Sequence, residues 1–142
     1  MSGACEAMNQ TTAHENEEKR MGYDTDGALG KIKEIKGFIA AAVGHAESGM
    51  AMGTIGGGDS FNIDIAVATN SEVVKAKLKA AQALGIDGGI EDILITLQDQ
   101  YHLIRPLRSN PVVFFYLALN RADANLAMAR FALEQVESKY EL

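Results

Sequence analysis

The stretch Glu91-Asp-Ile-Leu-Ile-Thr-Leu-Gln98, then Asp99-Gln100, Tyr101-His-Leu-Ile-Arg-Pro-Leu107, Arg108-Ser-Asn-Pro111 and Val112-Val-Phe-Phe-Tyr-Leu-Ala-Leu119 decides the fold. It holds three β-rich runs separated by polar breaks of two to four residues. Parallel pairing needs a crossover of about a dozen residues or more, so the runs must pair antiparallel as a meander. Ile93, Ile95 and Leu97 alternate with Leu94, Thr96 and Gln98, the pattern of a strand with one covered face. The run 112–119 has no polar alternate except the Tyr116 hydroxyl, which predicts a strand covered on both faces near the middle of the sheet. Pro111 lacks a donor N–H and is expected as the first residue of that strand.

With 142 residues, 47% hydrophobic and 23% charged, the chain supports one globular domain with its own core. Cys5 is the single cysteine, so no internal disulfide forms and an inert thiol is expected. The longest apolar run is strand-sized, far from the ~20 residues that span a bilayer, and the N-terminus lacks a basic-then-apolar leader pattern. A cytoplasmic location without membrane insertion is the expectation. The net charge of −6 is uneven: residues 1–26 hold six acids against two bases, leaving −4, and the remainder thirteen acids against eleven bases, leaving −2. An acidic chain without a basic stripe argues against nucleic acid.

Residues 1–23 are polar without a sustained apolar period and read as a flexible acidic tail before a domain over 24–142. Leu29, Ile32 and Ile35 space a short helix from Thr25, stopped by Gly37. The apolar run 38–43 and the run 50–55 then form a hairpin across residues 45–49, ended by Gly56, Gly57 and Gly58. Between 59 and 85 two periods compete. Phe61, Ile63, Ile65 and Val67 alternate as a strand would, yet Ile63, Val67, Val74, Leu78 and Ala81 form one stripe of a long helix over about 60–84. On that helix Asp64, Ser71, Lys75 and Gln82 are expected to face water. Thr69, Ala76, Ala80 and Ala83 make a sector of small residues that lets another helix approach closely. Asp123 is expected to open a last helix carrying Leu126, Ala129, Leu133, Val136 and Tyr140. The sum is an α+β fold, helix, two strands, helix, three strands, helix, with a five-stranded antiparallel sheet between helices.

No catalytic set emerges. Asp24-Thr-Asp26-Gly27 begins like a calcium loop, but Leu29 and Ile35 stand where glycine and glutamate are required, so it reads as a polar helix entrance. The three glycines at 56–58 lack a following Gly-Lys-Ser/Thr and read as a hairpin exit. His14, His45 and His102 have no second ligand at metal spacing. Ser48 lacks a nucleophile elbow, and a hydrolase centred on Ser48 and His45 is the weakest reading. Arg105 and Arg108 flank Pro106, where a solvated strand end accounts for them better than an arginine finger toward a bound nucleotide. No cofactor is expected.

The segments Glu91-Asp-Ile-Leu-Ile-Thr96, His102-Leu-Ile-Arg-Pro-Leu107, Ala124-Asn-Leu-Ala-Met-Ala-Arg130, Gly37-Phe-Ile-Ala-Ala-Ala-Val43 and Met50-Ala-Met-Gly53 resemble the Roadblock/dynein light-chain family over residues 28–137. The resemblance implies a long helix at 60–84 and a non-enzymatic homodimer. The two copies would join through the edge strand at 91–98 and the helix at 61–84. It also implies a partner among Ras-like small GTPases, or an adaptor and scaffold role. Thr69, Ala76, Ala80, Ala83, Ile93, Ile95 and Leu97 are the expected dimer contacts. A small-ligand sensory domain, with a pocket between sheet and helices, is the alternative.

Overall fold

The computed structural model describes residues 24–140, so the tail at 1–23, with Cys5 and His14, lies outside the described residues. The elements are α1 (Thr25–Ile32), β1 (Phe38–His45), β2 (Met50–Gly56), α2 (Ile63–Ala83), β3 (Ile93–Thr96), β4 (Gln100–Pro106), β5 (Val113–Asn120) and α3 (Leu126–Lys139). They form one sheet in the order β2-β1-β5-β4-β3, every neighbouring pair antiparallel. The expected element order and fold class are the ones found.

β5 occupies the centre because nothing in it before Asn120 objects to burial on either face. Val113, Phe115, Leu117 and Leu119 pack with α1 and α3, while Phe114, Tyr116 and Ala118 pack with α2. β1 beside it is narrow, Ala40, Ala41 and Ala42 being fully buried, and Gly44 has no side chain because the Phe114 ring covers it. A β-bulge where Val43 pairs Gly53 and Gly44 pairs Ala51 leaves Met52 as the extra residue of β2. Gly56 closes the hairpin at φ 78°, and a Cβ there would strike the Ile39 carbonyl and the Phe38 ring.

Asp24 caps α1, its carboxylate accepting from the Gly27 N–H at 3.0 Å, which is the polar helix entrance read from the sequence. α2 starts at Ile63 because Asn62 caps it, accepting from the Ile65 N–H at 3.1 Å. The helical period therefore overrides the strand-like alternation. Three expectations need correction. Ser71 does not face water; it is fully buried beneath α2, its hydroxyl satisfied by donating to the Val67 carbonyl at 2.7 Å. The last helix does not open at Asp123, whose N–H is held by the Asn120 carbonyl in the turn after β5; Asn125 caps it, accepting from the Met128 N–H at 3.1 Å. Pro111 is not the first residue of β5 but sits in the turn before it, a turn closed by the Val113 N–H on the Asn110 carbonyl.

Candidate interaction site

The side of α2 turned away from the sheet carries the small residues. Val67 and Val74 are fully buried and Ile63, Leu78 and Ala81 half-buried, so the inward stripe is the expected one. Thr69, Ala76, Ala80 and Ala83 are all exposed. At 3.6 residues per turn they lie opposite Val67, on the outermost face of the helix, rather than on a flank between the apolar and polar sectors. Ile65 joins them: it stands three turns before Ala76 on the same face and is 61% exposed. Ile65 is not among the expected contacts, although its place in the alternation signals that this helix carries an apolar residue its inward stripe does not use. Leu84 and Ile86, exposed just after the helix, continue an apolar surface along the chain toward β3.

Among the described residues β3 pairs only with β4, so its other side is a free sheet edge there. It is shorter than expected, four residues instead of the run 91–98. Ile93 and Ile95 lie in it, half-buried, on the face covered by α2. Leu97 lies past its end, exposed, its N–H turned to the Gln100 carbonyl at 2.9 Å. A two-pronged ion pair fixes the start of the strand, Arg130 donating to both oxygens of Asp92 at 2.9 and 3.3 Å. The structure thus presents a small-residue helix face and an apolar edge without proline or lysine in the same molecule. Such edges are sites for pairing with another chain.

The other polar residues singled out in the sequence have structural duties. Ser48 Oγ lies 3.3 Å from His45 Nδ1, but both belong to the exposed hairpin turn, where the ring nitrogen also accepts from the Ser48 N–H. Among the described residues nothing hydrogen-bonds the other nitrogen of His45, so no group orients it as a base. Arg105 is not at a solvated strand end. It is buried, and its Nε donates to Glu137 at 2.8 Å, while the second oxygen of Glu137 accepts from the Arg108 N–H at 2.8 Å. Only the Arg108 side chain is exposed, 3.5 Å from Glu134. Among the described residues no group of three or more His, Cys, Asp or Glu is arranged to hold a metal ion.

His102 on β4 is packed between Phe61 and Tyr116 in edge-on contacts. Its Nε2 faces Gln100 Oε1 at 2.8 Å, which fixes the proton on Nε2 and leaves Nδ1 to accept from the Tyr116 hydroxyl at 3.0 Å. Burial holds the imidazole below its ordinary value of 6.5. The folded chain therefore binds fewer protons than the unfolded chain as pH falls through 6.5 toward the lowered value. Stability contributed by neutral His102 is present above 6.5 and is lost on acidification through that window. Urea unfolding at about pH 7.5 and about pH 5.5 should show the decline, and His102→Gln should reduce it. An undiminished decline in the variant would assign the effect to other groups.

No protein-family model matches the chain, and no curated protein sequence does. Solved structures match it closely in shape. A Roadblock/LC7 domain from Streptomyces avermitilis superposes with a TM-score of 0.66 at 14% identity, covering 80% of this chain and 90% of that one. The gliding protein MglB from Thermus thermophilus gives 0.59 at 12% identity, over 80% and 87%. An MglB solved with a tetrameric arrangement gives 0.58 at 10% identity, over 80% and 88%. The chain has the Roadblock/LC7 fold. Residues 24–140 adopt that fold, with α2 and the free edge of β3 as the candidate contact surface.

Proposed function

We propose that this chain is a non-catalytic, homodimeric regulatory or scaffold protein that acts by binding other proteins, with a Ras-like small GTPase as the partner. The observation that carries the reading is the exposed α2 face of Ile65, Thr69, Ala76, Ala80 and Ala83 on a Roadblock-type domain whose β3 edge is unpaired. Small side chains allow two copies of α2 to cross closely, and two β3 edges brought together exchange backbone hydrogen bonds each lacks alone. Self-association also accords with the tetrameric arrangement named for one MglB. The sequence has no phosphate-binding loop of the Gly-Lys-Ser/Thr type, so nucleotide chemistry is assigned to the partner. No helix among the described residues is long and apolar enough to cross a membrane, which accords with action in the cytoplasm.

A small-ligand sensor receives less support. An open apolar concavity of about 640 Å³ runs between α1 and α3 outside the sheet. Met128 and Phe131 in it are more than half exposed, whereas a small-molecule site encloses most of its ligand.

Affinity capture from native cells, followed by mass spectrometry, tests the partner: a small GTPase enriched with the wild-type chain supports the reading, and its absence contradicts it. Residues 1–23 are proposed to be dispensable for folding, since they offer little apolar area against an ordering entropy of about 1–2 kcal/mol per residue. A chain starting at Tyr23 should keep a cooperative thermal transition with its midpoint within a few degrees of the full-length value; a broad, non-cooperative melt would contradict this.

A further inference from the structure

On the face of the sheet away from α2, helix α3 carries more apolar surface than the domain uses. Ala129, Leu133 and Val136 are its buried stripe. Met128 and Phe131 are 64% and 58% exposed, and with Gln135 and Lys139 they form a ladder at spacings of three and four along the side toward α1. α1 is too short to cover that ladder: its eight residues make about 12 Å of helix against about 21 Å for the fourteen of α3. The open groove of about 640 Å³ remains between them, with Ile35 and Val136 also in its apolar lining. Its charged lining is Lys31, Lys36 and Lys139 against Glu34, a local positive excess in a chain whose net charge is −6. Glu34 meets Lys31 only in an exposed pair at 3.8 Å, which leaves that lysine available to another acid. Asp24, near the Tyr140 end, is engaged as the cap of α1, accepting from the Gly27 N–H.

We propose that this groove is a docking site for an acidic amphipathic helix of a partner protein. A helix fits better than an extended segment because the groove offers no strand edge to pair with. Its long walls are helices whose backbone groups bond internally, so the occupant must satisfy its own backbone. Apolar side chains at i, i+3 or i+4 and i+7 of such a helix would enter between Met128 and Phe131 on one wall and Ile35 on the other. The lysines set the charge of its flanks. Lys36 precedes Gly37, which abuts Ala124 just before α3, whereas Lys139 is the last residue of α3, so positive charge stands at both ends of the groove. Asp or Glu residues on the partner helix would meet them there. A lipid surface of the same charge fits less well, because Ile35 and Val136 line a concavity that a flat bilayer does not enter. The groove and α2 lie on opposite faces of the sheet, so this contact is independent of self-association through α2 and gives the domain a second protein-binding surface.

A designed helical peptide of about 18 residues, with leucine at i, i+4, i+7 and i+11 and glutamate on its flanks, tests this on the full chain. Its counterpart carries lysine in place of every glutamate. The glutamate peptide should shift the amide NMR signals of Met128, Phe131 and Gln135 while those of Ala76 and Ala80 on α2 stay in place, and the lysine peptide should shift neither set. Phe131→Asp should weaken binding about tenfold or more. Lys36→Glu combined with Lys139→Glu should exchange the preference, so that the lysine peptide binds and the glutamate peptide does not, a reversal that damaged folding cannot produce. Equal binding of the two peptides, binding of neither at about 1 mM, or shifts centred on α2 overturns the proposal. So does sedimentation of the chain with phosphatidylserine vesicles that Phe131→Asp abolishes, since the occupant is then a membrane. Movement of the Met128 and Phe131 signals with protein concentration alone overturns it too, since the occupant is then a second copy.

Discussion

Glu137→Ala is expected to destabilise the domain by about 3–5 kcal/mol, the usual consequence of removing one member of a buried ion pair. Arg105 would keep its charge in a site where it is 3% exposed, without the carboxylate that now accepts from its Nε at 2.8 Å. The Arg108 N–H would lose its acceptor as well, so the turn leaving β4 loosens together with the end of α3. Glu137→Gln should cost less than Glu137→Ala, because the amide oxygen still accepts one of the two bonds. Urea denaturation at about pH 7 measures both. A loss under about 1 kcal/mol for Glu137→Ala would mean that water reaches Arg105 readily and that the pair does not tie α3 to the sheet.

That ion pair is legible in the sequence, although the expectation for Arg105 was a solvated strand end. Arg105 shares a strand face with Leu103 and Leu107, both buried, so strand period two already places it on a covered face. Glu137 follows Leu133 by four residues on α3, which turns it inward too. An inward arginine and an inward glutamate in elements destined to pack are a pair by charge alone. Other features were legible for plain reasons. Residues 113–119 of β5 include none that resists burial, and its place at the centre of the sheet follows. The edge position of β3 followed from its partly polar alternate face together with the resemblance. What the sequence left ambiguous was α2, where Phe61, Ile63, Ile65 and Val67 satisfy the strand period while Ile63 and Val67 also fit the helical one. The helix wins by leaving Ile65 in solvent, and an apolar residue left out is what a contact face looks like before its partner arrives. Ser71 was misplaced because serine reads as polar, whereas a hydroxyl bonded within its own helix packs as a small residue.

Ala80→Arg is expected to convert a dimer into a monomer, weakening association by about a hundredfold or more. At the twofold axis of the proposed dimer each substitution meets its own mate, so one change would introduce two guanidinium groups into a contact proposed to rest on small side chains. Loss of close packing and like-charge juxtaposition act in the same direction, and each is worth a few kcal/mol at a packed interface. Lys75→Ala serves as the control. Lys75 lies well around the helix from Ala80, in a surface ion pair with Glu72 at 2.7 Å, and such pairs contribute little. Ile65→Ser should weaken association by a smaller factor, since it removes one apolar contact without adding charge.

The most direct measurement is the light-scattering mass of the wild-type chain at tens of micromolar, alongside Ala80→Arg and Lys75→Ala at the same concentration. The account predicts twice the 15.2 kDa chain mass for wild type and Lys75→Ala, and the single chain mass for Ala80→Arg. A monomeric wild type, or an Ala80→Arg chain that remains fully dimeric, would contradict it.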